Sequence, residues 1–157
     1  MRSLKNLSKI GGEANFYCSD IIDLGELKSI GGTVSFMNSR IVSLAKLESI
    51  GGGLNLCDSG VEDTGRLKAI GGVLDLSYSK LKSLGKIEVI EGNLELRNSV
   101  LTDLGDLKFV GGEIFLDDKQ KRLFADKIHE EAGHIYFNND SAYSLKHDEM
   151  EEFDVNN

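Results

Sequence analysis

Apolar residues recur with a period of 20 over residues 4–116, without insertion or deletion. In the first copy two apolar columns lie three residues apart, at Leu7 and Ile10, and two more are separated by one residue, at Ala14 and Phe16. Alternation of this second kind is the pattern of a half-buried strand. One copy has too little apolar surface to fold alone, so neighbouring copies must cover each other. The pattern predicts a solenoid whose 20-residue coils each contain a short strand, a turn and an irregular return.

Glycine and serine fill two further columns of the repeat. A glycine at position 12 recurs in all six copies, and the residue before it is glycine in five, with Glu91 as the exception. This predicts a positive φ angle or a close approach of coils at the second glycine, and tolerance of a side chain at the first. The serines are Ser19, Ser39, Ser59, Ser79 and Ser99. We expect their hydroxyls to bond backbone groups of adjacent coils, and not to act as nucleophiles, because no histidine lies within the repeats.

The unit resembles a leucine-rich repeat, as in residues 74–81, Leu-Asp-Leu-Ser-Tyr-Ser-Lys-Leu. Residues 67–76 are similar to the short receptor-L-domain-like variant of that repeat. Serine replaces the asparagine that normally forms the ladder of the family, and the return is too short for a full helix, so a horseshoe and a nearly straight β-solenoid both stay open. The period and the resemblance together predict a mainly β repeat solenoid, leucine-rich-repeat-like or parallel β-solenoid, of six coils, which ends in the α-helical C-terminal cap described below. It also implies protein recognition, although the fold fixes no partner.

The period ends after residue 116, which divides the chain into a solenoid over residues 1–118 and a C-terminal cap over residues 119–157. Asp118 is expected to cap a helix over about residues 119–131. Leu123, Phe124 and Ile128 would lie on one face of this helix and cover the last coil. Residues 133–137 echo the Gly-x-Leu-x-Leu element and predict an extra strand, followed by an acidic tail.

The first coil has no comparable helix before it. A first strand at about residues 13–18 would leave its backbone hydrogen-bonding groups open to pairing. We therefore expect a second copy of the chain or another partner to cover this edge, which makes a homo-oligomer one expectation.

Composition narrows the class of function. A net charge of −8 argues against direct nucleic-acid binding, which needs clustered cations. No apolar run approaches the roughly 20 residues of a membrane span and no signal segment is visible, so the sequence predicts a cytoplasmic protein. Cys18 and Cys57 fall about two coils apart, beyond the ~7 Å reach of a disulfide, and are expected to be reduced thiols. We expect no metal and no cofactor.

The residues between and just after the strand leucines are expected to point outward and form an open sheet face. This face carries seven carboxylates and one guanidinium, a net charge of −6, whereas the return segment has a net charge of +4. Such a division favours a protein partner with a basic surface. Aromatic side chains on the face would act as anchors. The candidate binding residues are Tyr17, Met37, Asp58, Asp75, Tyr78, Glu95, Arg97, Phe115 and Asp117, with Tyr17, Tyr78 and Phe115 as the anchors.

Catalytic interpretations have less support. His129 and His134 superficially match a zinc-protease motif, but they are five residues apart and would not share one helical face. The leading hypothesis is a non-enzymatic protein-binding module that uses the open sheet face. The alternative is an acidic inhibitor, similar to small phage-type decoys, that occupies the nucleic-acid groove of a host defence enzyme. An enzyme would require a pocket built by the cap.

Overall fold

The computed structural model describes residues 2–130, with side chains to Ala125, and the backbone of residues 136–137. It confirms a parallel β-solenoid of 20-residue coils, mainly β, with one helix near the C-terminus. We number the coils in blocks of 20, so that coil 1 is residues 1–20 and coil 6 is residues 101–120. Positions 1–20 within a coil are counted in the same way.

Each coil contributes two strands of two residues, at positions 9–10 and 14–15, where the sequence predicted one longer strand. The strands at positions 9–10 form the first sheet and those at positions 14–15 form the second. Within the six coils, neighbours pair in parallel with an offset of 20 residues, as Ile10 with Ile30 and Ala14 with Val34. In chain order the elements are β1 (Lys9–Ile10), β2 (Ala14–Asn15), β3 (Ser29–Ile30), β4 (Val34–Ser35), β5 (Ser49–Ile50), β6 (Leu54–Asn55), β7 (Ala69–Ile70), β8 (Leu74–Asp75), β9 (Val89–Ile90), β10 (Leu94–Glu95), β11 (Phe109–Val110), β12 (Ile114–Phe115), α1 (Asp118–Glu130) and β13 (Tyr136–Phe137).

A row of isolated bridges at position 3 gives the coil a third side. The bridges join Ser3 to Asp23, Ser43 to Asp63 and Ser83 to Asp103. In each pair the serine hydroxyl donates to the aspartate at 2.6–2.8 Å. The other carboxylate oxygen accepts from the amide of the glycine two residues later. The structural repeat on this side is therefore two coils long, a period visible in the alternation of serine and aspartate that the sequence analysis missed.

The apolar columns converge in one core that runs along the solenoid. Leu27, Ile30 and Phe36 are buried, as are their equivalents in the coils that follow except Leu116, which is partly buried. Thr64 replaces leucine at position 4 of coil 4, and its hydroxyl donates to the Leu84 carbonyl at 3.2 Å. The buried hydroxyl of Thr64 thus has the partner that a buried polar group requires.

Close stacking explains the glycine corner at positions 11 and 12. A Cβ on Gly32 would lie 2.8 Å from the Glu13 nitrogen, and one on Gly31 would overlap the Gly11 carbonyl oxygen. The close approach predicted at the second glycine is confirmed. The tolerance predicted at the first is wrong for most coils, although Glu91 does occupy that position. Positive φ angles lie instead at positions 5 and 18 of the coils.

The serine column does not form the expected ladder. Three of its hydroxyls have no hydrogen-bond partner in the described part of the chain: Ser19, Ser39 and Ser79. The hydroxyl of Ser59 accepts from the amide of Val61, two residues later, at 3.5 Å, and that of Ser99 bonds to a side chain of α1. Backbone bonds close the turn, because the amide of each serine donates to the carbonyl three residues before it.

Helix α1 follows the last coil and is fixed to it by a capping box. Its N-cap is Asp117, one residue before the predicted cap, because Asp117 Oδ1 accepts from the Gln120 amide at 2.9 Å and Gln120 Oε1 accepts from the Asp117 amide at 3.2 Å. The Gln120 side chain is buried and donates to the Leu96 carbonyl and the Ser99 hydroxyl. No helix among the described residues is long and apolar enough to cross a membrane.

The predicted cap is only partly as expected. Phe124 is buried against the core, whereas Leu123 is 41% exposed, so the predicted apolar face is wrong at Leu123. A strand is present at Tyr136–Phe137, within the predicted residues 133–137, and this β13 pairs with β11 of the first sheet. The side chain of Ile128, residues 131–135 and the acidic tail lie outside the described residues.

Candidate interaction surface

The nine candidate binding residues lie in three parallel rows along the second sheet and its following turn. Asp75, Glu95 and Phe115 share position 15, Tyr17, Met37, Arg97 and Asp117 share position 17, and Asp58 and Tyr78 share position 18. We call the outward residues at positions 13, 15, 17 and 18 of coils 1–6 the acidic face. Coils stack about 4.8 Å apart, so Tyr78 lies about 14 Å along the axis from Tyr17. The rows form one continuous face, but the three aromatic anchors are spread along it.

Side chains at position 15 stabilise the turn that follows each strand of the second sheet. The side-chain oxygens of Asn15, Asn55 and Asp75 each accept from the amide two residues later at 2.9 Å. This is an Asx turn, which asparagine and aspartate favour. Asp75 therefore supports the fold and also contributes its charge to the face.

The only cation of the acidic face is paired. Arg97 donates from Nε and Nη2 to the two carboxylate oxygens of Glu95, both at 2.7 Å. These bonds raise the pKa of Arg97. Its guanidinium lies 5.1 Å from the ring centroid of Phe115, in cation–π geometry. Phe115 is half-buried in this arrangement, so it offers a partner less surface than the two tyrosines.

The other candidate residues differ in whether they already form hydrogen bonds within the chain and in how exposed they are. Asp117 is the N-cap of α1 and also accepts from the Asn98 amide at 3.3 Å. Asp58 is exposed, and Met37 is half-buried. Exposed acids at position 13, Glu13 and Glu113, extend the negative charge to both ends of the face.

Tyr17 and Tyr78 are the two exposed aromatics of the face, at 57% and 62% exposure. Tyr78 also has a φ angle of +57°. Asparagine tolerates this left-handed conformation, and it stands at the same position in Asn38 and Asn98. A tyrosine there is disfavoured by its backbone and receives little burial in return.

Both cysteines belong to the acidic face and are free thiols. Cys18 Sγ accepts from the side-chain amide of Asn38 at 3.2 Å. Burial and the negative charges of Asp75 and Asp58 raise the pKa of Cys57. That thiol stays protonated at neutral pH, which makes it a poor nucleophile.

The cations of the return segment are partly neutralised by a charge ladder. Position 8 alternates in sign in Lys28, Glu48, Lys68, Glu88 and Lys108. Lys108 lies 2.7 Å from Glu88, and this contact lowers the pKa of the glutamate and raises that of the lysine. Such exposed pairs add little stability, but they reduce the net field of that side. The acidic face has no comparable set of cations, so more of its negative charge is left without neutralisation.

Together, the coils and these rows define the class of protein: a parallel β-solenoid with one acidic side that bears exposed aromatics. No family model, no curated protein and no solved structure matches the chain.

Proposed function

We propose that this protein is a non-enzymatic binding module whose acidic face holds a protein with a basic surface. Tyr78 is the observation that carries the proposal. A bulky side chain at positive φ costs about 1 kcal/mol, and an exposed ring regains little of it within the chain. Contact with a partner would account for a tyrosine at this position, since tyrosine is among the residues that dominate interface energies.

The distribution of charge supports a basic partner. The carboxylates of the acidic face far outnumber its single cation, and Glu95 already neutralises that cation. A one-sided negative field increases the rate at which a positively charged surface finds the face. Binding should therefore weaken as the salt concentration rises.

The leucine-rich-repeat-like identity of the coils, close to the receptor-L-domain-like variant, belongs to the same proposal. Its support is the residue spacing in residues 67–81. Protein recognition is the use that this resemblance implies.

A double variant, Tyr17→Ala with Tyr78→Ala, tests the proposal. Partners are captured from a lysate of the native host, and affinity for each purified candidate is then measured by calorimetry. Loss of two exposed anchors should weaken binding at least about tenfold. The matched control is Ile22→Ala with Val42→Ala, since both side chains are 52% exposed and lie on the third side of the coil. Equal affinity of the two variants would contradict the proposal.

The alternative function, an acidic inhibitor of a nucleic-acid enzyme, draws on a different observation. Coils 3, 4, 5 and 6 each place an acid on the face, in Asp58, Asp75, Glu95 and Asp117. A line of carboxylates along a rod is what a mimic of a phosphate backbone needs. If the captured partner is such an enzyme, duplex DNA or RNA should displace the protein from it. If the nucleic acid does not compete, the inhibitor function is contradicted and only the general protein-binding function is left.

A further inference from the structure

Coil 1 exposes apolar side chains that the other coils bury. Leu7 is 42% exposed, whereas Leu27 and Leu47 at the same position are fully buried. Ile10 and Phe16 are half-buried. Among the described residues, β1 and β2 also end their sheets without a neighbour on this side. The other end of the solenoid carries β13 and α1, so the two ends are not equivalent.

The glycine corner of coil 1 indicates what kind of surface lies against it. In Gly31 and Gly32 an added Cβ would strike the backbone of the preceding coil, which is why glycine is required there. An added Cβ on Gly11 or Gly12 would meet nothing within 4 Å. Gly11 and Gly12 therefore leave room for another backbone to pack closely against coil 1. Among the described residues, none packs there.

We propose that a second copy of this chain covers coil 1, with the two solenoids head to head about a two-fold axis. The opposite end is covered by β13 and α1, so a second copy can best stack through its own coil 1. An axis through the glycine corner lays β1 antiparallel against the partner's β2, and the same contact forms twice. Both open edges are then paired.

We place the axis at Gly11, so that Lys9 lies opposite the partner's Glu13. The exposed Leu7 then lies opposite the partner's Asn15 and next to the partner's half-buried Phe16. On the third side, Arg2 faces the partner's Asp20. Coil 1 is therefore self-complementary in charge and apolar surface, which is the property that an isologous interface requires. The contact is only one coil wide and falls in the class of small interfaces, so the dimer should depend on concentration.

Charge exchange tests this geometry, with sedimentation equilibrium of the full chain over a range of concentrations. Lys9→Glu and Glu13→Lys should each weaken self-association at least about tenfold, because like charges then face each other. An equimolar mixture of the two variants should dimerise again, since each supplies the charge that the other lacks. Glu113→Lys is the matched control, because Glu113 is an exposed acid at the same position of coil 6. A monomeric native chain throughout, or a mixture that stays monomeric, would overturn the proposal.

A second variant separates the interface from folding. Gly11→Ala should weaken the dimer and leave the free energy of unfolding of the monomer unchanged, because its Cβ enters open space. Gly31→Ala, the same change one coil later, should lose stability by a clash with Gly11. Dimerisation of Gly11→Ala at native affinity would count against close backbone contact at the corner. These measurements concern self-association alone, so their failure would leave the proposed role of the acidic face unaffected.

Discussion

Asn15, Asn55 and Asp75 show how single side chains on the acidic face first serve their own coil. Each stabilises the turn that presents the residue at position 17. Truncating such a residue would change the backbone as well as the surface. Tyr17 and Tyr78 have no such role in the turn, which makes them the cleaner positions at which to examine binding.

The serine column gives a prediction at this scale. Ser79 is buried and its hydroxyl has no partner among the described residues, which costs about 1–3 kcal/mol. Ser79→Ala should therefore raise the free energy of unfolding by about 1 kcal/mol in urea titrations. Ser99→Ala is the comparison, since it removes the hydroxyl that bonds Gln120 at 2.7 Å and should lower stability. Clear destabilisation by Ser79→Ala would mean that its hydroxyl has a partner.

At the scale of elements, the paired coils of the third side depend on an ionised aspartate. The amide of Gly25, and then the hydroxyl of Ser3, donate to Asp23 and lower its pKa below the usual 3.8. The charged form is thus favoured by folding. Its contribution to stability is present above pH 3.8 and is lost as the pH falls through the lower folded value.

Asp23→Asn should remove this part of the acid sensitivity. The native chain is expected to lose unfolding free energy more steeply than the variant below pH 3.8, by a small amount because Asp23 is exposed. Urea titrations across the acid range would measure the difference. Glu62→Gln, at an exposed acid two coils away from this bridge, should leave the acid dependence as it is in the native chain.

Helix α1 depends on Gln120. Replacement by alanine removes the half of the capping box in which Gln120 Oε1 accepts from the Asp117 amide, and it leaves the Leu96 carbonyl and the Ser99 hydroxyl without this donor. The free energy of unfolding is expected to fall by about 1–3 kcal/mol. Hydrogen exchange should also become faster in the first turns of α1 than in coils 2–4. Lys119→Ala, at an exposed neighbour, should change neither. Unaltered exchange in the Gln120 variant would show that other contacts hold the helix.

At the scale of the whole molecule, the two proposals use surfaces that share only Glu13 and Asn15, at the coil 1 end of the acidic face. The acidic face runs along the length of the solenoid, whereas the proposed dimer uses one end. A head-to-head dimer would continue the first sheet of one copy into the second sheet of its partner. It would also present two acidic faces, so that a partner with two basic sites could bind both copies with increased avidity.

Much of the fold follows from the sequence, because a strict apolar period has few ways to bury itself. The 20-residue coil, the core columns and the close approach at Gly32 were all predictable from spacing. The two short strands in each coil were not, since strands of two residues leave little periodicity to detect. The two-coil period of Ser3 and Asp23 was visible in the sequence, but its meaning required the hydrogen bonds between them.

The sequence by itself determined the solenoid, the acidic side and the rows in which the candidate residues lie, since covalent spacing fixes which side chains share a row. Only the tertiary structure decided which of those side chains are free. It assigned Asp117 to the cap of α1, Glu95 to Arg97 and Asp75 to a turn, and it left Tyr17 and Tyr78 exposed. Hydrogen bonds and burial depend on neighbours brought close by stacking and by turn geometry, which spacing along the chain does not specify.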